Sequence, residues 1–243
     1  MKKIFIIGNW KSNKTTTEAI SWLQEIENSL QSGGQADLAF NGEEKQVIVC
    51  PSFTSLPSMK AYILQNNLPI KLGAQDVSPF DEGAYTGEVN AKQVKEVAEY
   101  AIVGHSERRK YFHETNDDVI EEVTRLIEEG IHPILCISDM MQMDYYLLRG
   151  KAIVESAEKI IFVYEPPSAI SGGGAFHPES PEEADKNASQ ISQKIGKRVI
   201  TLYGGSVNEE NAGSFFSQDN IDGGLIGQAS LTAEKFLKII ESS

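Results

Sequence analysis

Short apolar runs rich in β-branched residues recur along this chain. Each is followed by a polar loop and then by further apolar positions at helical spacing. The runs occupy residues 4–7, 47–50, 70–73, 100–103, 134–137, 160–164, 199–203 and 221–226. Helical spacing is clearest over 17–30, 55–66, 119–129, 181–195 and 232–240, where Phe236, Ile239 and Ile240 share one face. Strands that are apolar along their whole length are buried on both faces. Alternating with helices, they predict a parallel sheet covered by helices. Eight such units in 243 residues fit one closed (β/α)8 barrel, an α/β domain over residues 1–243 with eight parallel strands surrounded by helices. A doubly wound open sheet is the alternative. Residues 31–45, rich in Gly, Gln, Asn and Glu, read as a surface connection within the domain.

Composition narrows the function. Hydrophobic residues make up 40% of the chain, enough for a sizeable core. No apolar run approaches the roughly 18–20 residues of a membrane span. The opening Met1-Lys2-Lys3 leads into an apolar stretch too short for a signal peptide, and reads as the approach to a first strand. Cys50 and Cys136 each end an apolar run. Two such thiols give no disulfide framework and no metal-ligand spacing, and read as reduced core residues of a cytoplasmic protein. The net charge of −13 argues against a nucleic-acid partner. It also works against long-range attraction of a small anion. An anion site here has to be built locally, from backbone dipoles and one or two placed cations.

In a barrel of this kind the carboxyl ends of the strands form the active face. That rule selects Asn9, Trp10 and Lys11 after the first strand, and His105, Ser106 and Glu107 after the fourth. It selects Glu165 after the sixth, and Gly204-Gly205-Ser206 and Gly227-Gln228 after the seventh and eighth. Glu165 ends a buried run and precedes Pro167-Ser168-Ala169-Ile170-Ser171-Gly172-Gly173-Gly174, which reads as a mobile loop. A carboxylate in that setting can act as a base in a site that closes. His105 precedes a short helical turn, and a helix start beside an imidazole disfavours its protonated form. A neutral imidazole can donate to a carbonyl oxygen. Lys11 offers a cation for developing negative charge. The two glycine-bearing turns offer backbone N–H groups to a phosphate. Together these parts suit proton abstraction beside a carbonyl, through an enediolate, on a small phosphorylated substrate. His113, His132 and His177 lack such a setting and read as structural.

Several longer motifs carry a resemblance that covers almost the full length. They are Gly8-Asn9-Trp10-Lys11, Gly73-Ala74-Gln75-Asp76-Val77, Gly83-Ala84-Tyr85-Thr86-Gly87-Glu88 and Gly104-His105-Ser106-Glu107-Arg108-Arg109. Tyr164-Glu165-Pro166, Tyr203-Gly204-Gly205-Ser206-Val207-Asn208 and Gly227-Gln228-Ala229-Ser230-Leu231 complete the set. In these the chain resembles the triosephosphate isomerases. The resemblance implies a TIM barrel that interconverts dihydroxyacetone phosphate and glyceraldehyde 3-phosphate, in glycolysis and gluconeogenesis, without cofactor or metal. It implies that Glu165 is the proton-shuttling base and that His105 is the electrophile on the substrate oxygens. Lys11 then stabilises the enediolate with Asn9 beside it, and Glu107 helps to hold the network. Backbone N–H groups of Ser171, Ser206, Gly227 and Gln228 would form the phosphate cradle. The loop over residues 77–90, with Tyr85-Thr86-Gly87 at its tip, would insert into a second subunit, making a homodimer.

The departures from the pattern are local. Ser168 stands where the family's lid usually carries tryptophan, and Cys136-Ile137-Ser138-Asp139 replaces the usual Cys-Ile-Gly-Glu. The stretch from Cys136 to Glu165 is shorter than usual, and Gln228 replaces a glycine. Each of the three successive lid glycines costs roughly 0.5–1 kcal/mol more to order than alanine. The lid is therefore expected to close more weakly or slowly than in a typical relative. The rival function is a non-catalytic sugar-phosphate-binding barrel. The joint presence of Asn9, Lys11, His105 and Glu165 argues against it, because pure binding needs no base and electrophile around one carbonyl.

Overall fold

The computed structural model describes residues 2–31, 45–166 and 179–242. Its strands are β1 (Ile4–Asn9), β2 (Lys45–Cys50), β3 (Ile70–Ala74), β4 (Tyr100–Val103), β5 (His132–Ile137), β6 (Ile161–Tyr164), β7 (Thr201–Tyr203) and β8 (Gly223–Ile226). They pair in parallel in chain order, and β8 returns to β1 to close the barrel. The open-sheet alternative is thereby excluded. The expected lid and most of the expected surface connection, including Ser171 and His177, lie outside the described residues.

The strands are apolar throughout because alternate residues enter two different cores. Phe5, Ile7, Ile48, Cys50, Ile102, Ile134, Cys136, Ile161, Val163, Leu202 and Leu225 pack together inside the barrel. Their strand neighbours, such as Ile6, Val49, Val103, Ile137 and Phe162, face the helices. Both thiols lie in the inner core, where burial pushes their pKa values well up. The outer layer includes α1 (Thr16–Gln31), α2 (Leu56–Asn66), α3 (Ala91–Lys95), α4 (Ser106–Phe112) and α5 (Asn116–Glu129). It continues with α6 (Met140–Arg149), α7 (Lys151–Glu155), α8 (Pro181–Ile195), α9 (Ala212–Phe216) and α10 (Ala233–Glu241). Among the described residues no helix is long and apolar enough to cross a membrane.

Three local results refine the sequence reading. The shortened fifth unit keeps its helices, and its unusual Ser138-Asp139 starts them. The Asp139 side chain accepts from Met141 N at 2.8 Å, and Gln142 Oε1 accepts from Ser138 N at 2.9 Å. Such reciprocal capping satisfies amide groups that a helix start leaves free. β7 and β8 begin two residues later than the apolar runs predict. The Asp222 side chain takes Thr201 N at 2.8 Å, and Gly223 has φ +133°. The loop over residues 77–90 is tied at its base by Ser78 N donating to Val89 O, 2.8 Å. Near its tip Phe80 and Tyr85 stack at 4.2 Å and are both exposed.

One cluster breaks the apolar rule of the interior. Asp76, Glu114 and Glu122 converge behind α4 and α5, with Glu114 and Glu122 buried. Burial is the main cause that pushes Glu122 up to about 9, and the neighbouring Glu114 and Asp76 add to it. Burial likewise pushes Asp76 up to about 7, against the opposing pull of Arg108. Glu114 is raised by the same cause.

Candidate active site

The carboxyl ends of the strands open into a cavity of about 660 Å³. Asn9, Lys11, His105, Glu165, Gly204, Ser206, Gly227 and Gln228 all line it. The fold thus gathers on one rim residues from five distant segments, and Glu107 joins them through Lys11. Ser171 lies outside the described residues.

Each side chain is held by its own strand end. Asn9 is the last residue of β1, and its Oδ1 accepts from Lys11 N at 3.0 Å. That turn places Lys11 at φ +51°, a strained backbone for a residue with a side chain. Gln75, just beyond β3, steadies the turn by donating Nε2 to Lys11 O and to Cys50 O, each at 2.9 Å. Lys11 Nζ then meets Glu107 Oε1 at 2.7 Å. Both side chains are about one-third exposed, so the pair serves to orient the ammonium more than to stabilise the fold.

His105 caps α4. Its Nδ1 accepts from Glu107 N at 3.2 Å, so that nitrogen carries no proton. The ring proton is therefore assigned to Nε2, which lies 2.9 Å from Glu165 Oε1. This is the neutral tautomer, with its donor turned into the cavity. Glu165 is only 1% exposed, and its other oxygen accepts from Ser106 N at 3.1 Å. The first amide of α4 and the imidazole thus supply the hydrogen bonds that a buried carboxylate requires.

Opposite these groups lie the two glycine-bearing turns. A Cβ on Gly204 would stand 2.6 Å from Val163 Cγ1 and 3.4 Å from Glu165 Cβ. Gly204 is there because the turn passes directly against the strand that carries Glu165. Gly204→Ala is therefore expected to displace Glu165 and lower kcat/KM roughly tenfold or more, because sub-ångström placement governs the reaction rate. Kinetics beside a melting curve check this; unchanged kcat/KM in a folded variant would refute it.

Sequence reasoning placed Ser106 on the active rim without a role for its amide, and it missed Gln75 as part of the site. Gln75 lay within a motif but followed a strand not counted on the active rim. Only its two carbonyl contacts reveal its part. Asn208, the end of a quoted motif, also lines the cavity, as do Asn13, Thr232 and Lys235, which no sequence signal singles out.

Comparison with known proteins identifies the family. The sequence profile of the family described as Triosephosphate isomerase matches residues 4–243. The chain is similar to the triosephosphate isomerase of Thermus thermophilus, 37% identical over 99% of this chain and 98% of the relative. It is similar also to that of Dictyoglomus turgidum, 35% identical over the whole of both chains. A third, from Dehalococcoides mccartyi, is 37% identical over 98% of this chain and 96% of the relative.

Proposed function

Because this chain belongs to the triosephosphate isomerase family, we propose that Glu165, His105 and Lys11 carry the proton transfer by which it interconverts dihydroxyacetone phosphate and D-glyceraldehyde 3-phosphate. The observation that carries the assignment is the 2.9 Å contact between His105 Nε2 and Glu165 Oε1 inside the cavity. It sets a proton donor and a proton acceptor side by side, where the carbonyl oxygen and its neighbouring carbon would lie.

In this reading substrate entry exchanges that contact for two others. Nε2–H of His105 turns to the carbonyl oxygen. The carboxylate of Glu165, released from His105 and Ser106 N, takes a proton from the adjoining carbon. The electrons of the broken C–H bond form the enediolate, whose oxygens face Nε2–H and the Lys11 ammonium. The hydroxyl proton passes from one enediolate oxygen to the other by way of His105 Nε2, Glu165 returns its proton to the neighbouring carbon, and the carbonyl has moved by one position. Asn9 and Glu107 position Lys11. Backbone amides at Ser206, Gly227 and Gln228 hold the phosphate, an arrangement that suits a protein of charge −13 because it relies on few cations. Ser171 would complete the cradle from the lid, which keeps water from the intermediate. A binding-only barrel gains nothing from an acid–base pair at one carbonyl.

The experiment is a coupled assay with each triose phosphate in turn, with inorganic phosphate as competitor. Turnover in both directions, competitively inhibited by phosphate, is expected. Phosphate binding without turnover would leave the binding-only reading instead.

The same reading takes residues 1–243 as one barrel domain acting in the cytoplasm as a homodimer. The exposed Phe80–Tyr85 stack on a loop tied at its base supports the dimer, since solvent-facing aromatic pairs favour burial against a partner. Sedimentation at micromolar concentration is expected to show twice the chain mass of 26.8 kDa. Removing both rings (Phe80→Ser with Tyr85→Ser) should shift it toward the single chain. A wild-type monomer would defeat the dimer.

A further inference from the structure

Outside the catalytic cavity, three carboxylates from separate segments meet within the protein. Asp76 follows β3, Glu114 lies between α4 and α5, and Glu122 is on the inward face of α5. One oxygen from each lies within 4.8 Å of the other two. Glu122 is 1% exposed and Glu114 is 8% exposed. Arg108 is the cation that reaches them. Its Nε donates to Glu114 Oε1 at 2.5 Å and lies 2.8 Å from Asp76 Oδ1. The single N–H of that nitrogen is directed at Glu114, so Asp76 Oδ1 gains the charge attraction without the hydrogen bond. Glu122 Oε2, Glu114 Oε2 and Asp76 Oδ1 are all buried without a hydrogen-bond partner.

Such a cluster is costly as it stands. A carboxylate removed from water and left unpaired loses its hydration with no return. With all three ionised, three carboxylates and one guanidinium leave a charge of −2 in one small volume. One oxygen of each carboxylate converges with those of the other two, and such a donor set suits a hard cation. We propose that Asp76, Glu114 and Glu122 bind one hard, oxygen-seeking divalent cation of the class of Ca²⁺ and Mg²⁺.

Oxygens that all lie within 4.8 Å of one another can close on one ion at the ligand distances of Ca²⁺ or Mg²⁺, about 2.0–2.6 Å. Arg108 keeps Glu114 Oε1, which leaves Glu114 Oε2 to the ion. The Asp76 side chain is 22% exposed, so the site can fill from the Asp76 side. A bound ion would tie the loop after β3, which carries Gln75, to α5.

The test uses the full chain stripped with chelator. Mn²⁺ is titrated in and followed by its electron paramagnetic resonance, then displaced with Ca²⁺ or Mg²⁺. One Mn²⁺ per chain is expected, displaced by Ca²⁺ or by Mg²⁺, and the displacing ion should also raise the melting temperature. Glu122→Gln, close to the native shape, should weaken Mn²⁺ binding roughly tenfold or more, since the ligand charge count sets affinity at such sites. If Glu122→Gln does not fold, Asp76→Asn at the less buried edge gives the same reading. Absence of stoichiometric Mn²⁺ at millimolar concentration would overturn the proposal. So would equal Mn²⁺ binding by the wild type and a folded variant.

Discussion

Glu165→Gln is expected to lower kcat by roughly two to four orders of magnitude, the range that a placed general base contributes. An amide has the shape of the carboxylate but cannot take a proton from carbon. Phosphate contacts are untouched, so KM should move little. Fold should survive as well, because the amide oxygen can still accept from Ser106 N, which now donates at 3.1 Å. The second position is less comfortable. The amide NH2 would face the Nε2–H of His105, and that ring cannot change tautomer while its Nδ1 accepts from Glu107 N. A loss of about 1 kcal/mol of stability is the expected consequence of that donor–donor contact. Steady-state kinetics and a melting curve check both parts. Exchange of the substrate's carbon-bound hydrogen with solvent should fall in parallel with turnover. A folded variant that keeps kcat within tenfold would remove Glu165 from the role of base.

Gly223→Ala is expected to have the largest effect on folding. Gly223 opens β8 and pairs with Phe5 of β1, at the seam that closes the barrel. Its φ is +133°, in a region that residues with a Cβ rarely enter. A Cβ there would lie 1.9 Å from Phe5 O and 2.8 Å from Phe5 N. Those atoms are backbone and cannot rotate away, so β8 or β1 would have to move and the seam would open. Strain and overlap together should cost more than about 3 kcal/mol, which lowers the melting temperature of a chain this size by roughly 10 °C or prevents folding. Gly196→Ala supplies the control. Gly196 also has positive φ, +82°, but a Cβ there meets nothing within 4 Å. It should cost only about 1 kcal/mol or somewhat more. Equal melting temperatures for the two variants would show that backbone conformation alone, and not the collision with β1, decides the effect.

Much of the barrel was legible because its signal is local and repeated. The eight apolar runs needed no knowledge of what they touch. A strand buried on both faces is apolar at every position, whichever neighbour lies beside it. Boundaries were less legible where a tertiary contact sets them, as at β7, whose start depends on Asp222 reaching back to Thr201 N. The residues that line the cavity were largely legible because strand ends form the open rim of the barrel. The roles that bonding confers were not. The proton on His105 Nε2 follows from the Glu107 amide behind it. The 2.9 Å contact with Glu165 joins strand ends that the chain alone cannot align.

Glu122 shows the division most clearly. Its place on the stripe shared with Val119, Val123 and Leu126 could be read from spacing, and an acidic residue on an apolar stripe is a visible anomaly. What it would meet could not be read, since Asp76 comes from another unit of the barrel. The sequence by itself determined the order of elements, the face of each that is buried and which strand ends carry reactive groups. These are properties of spacing within a few residues, averaged over many positions. The tertiary structure alone decided which atoms touch: Ser106 N with Glu165, 59 positions apart, and the carboxylates around Arg108. Such meetings depend on the register of parallel strands, and a slip of one residue turns every side chain to the opposite face.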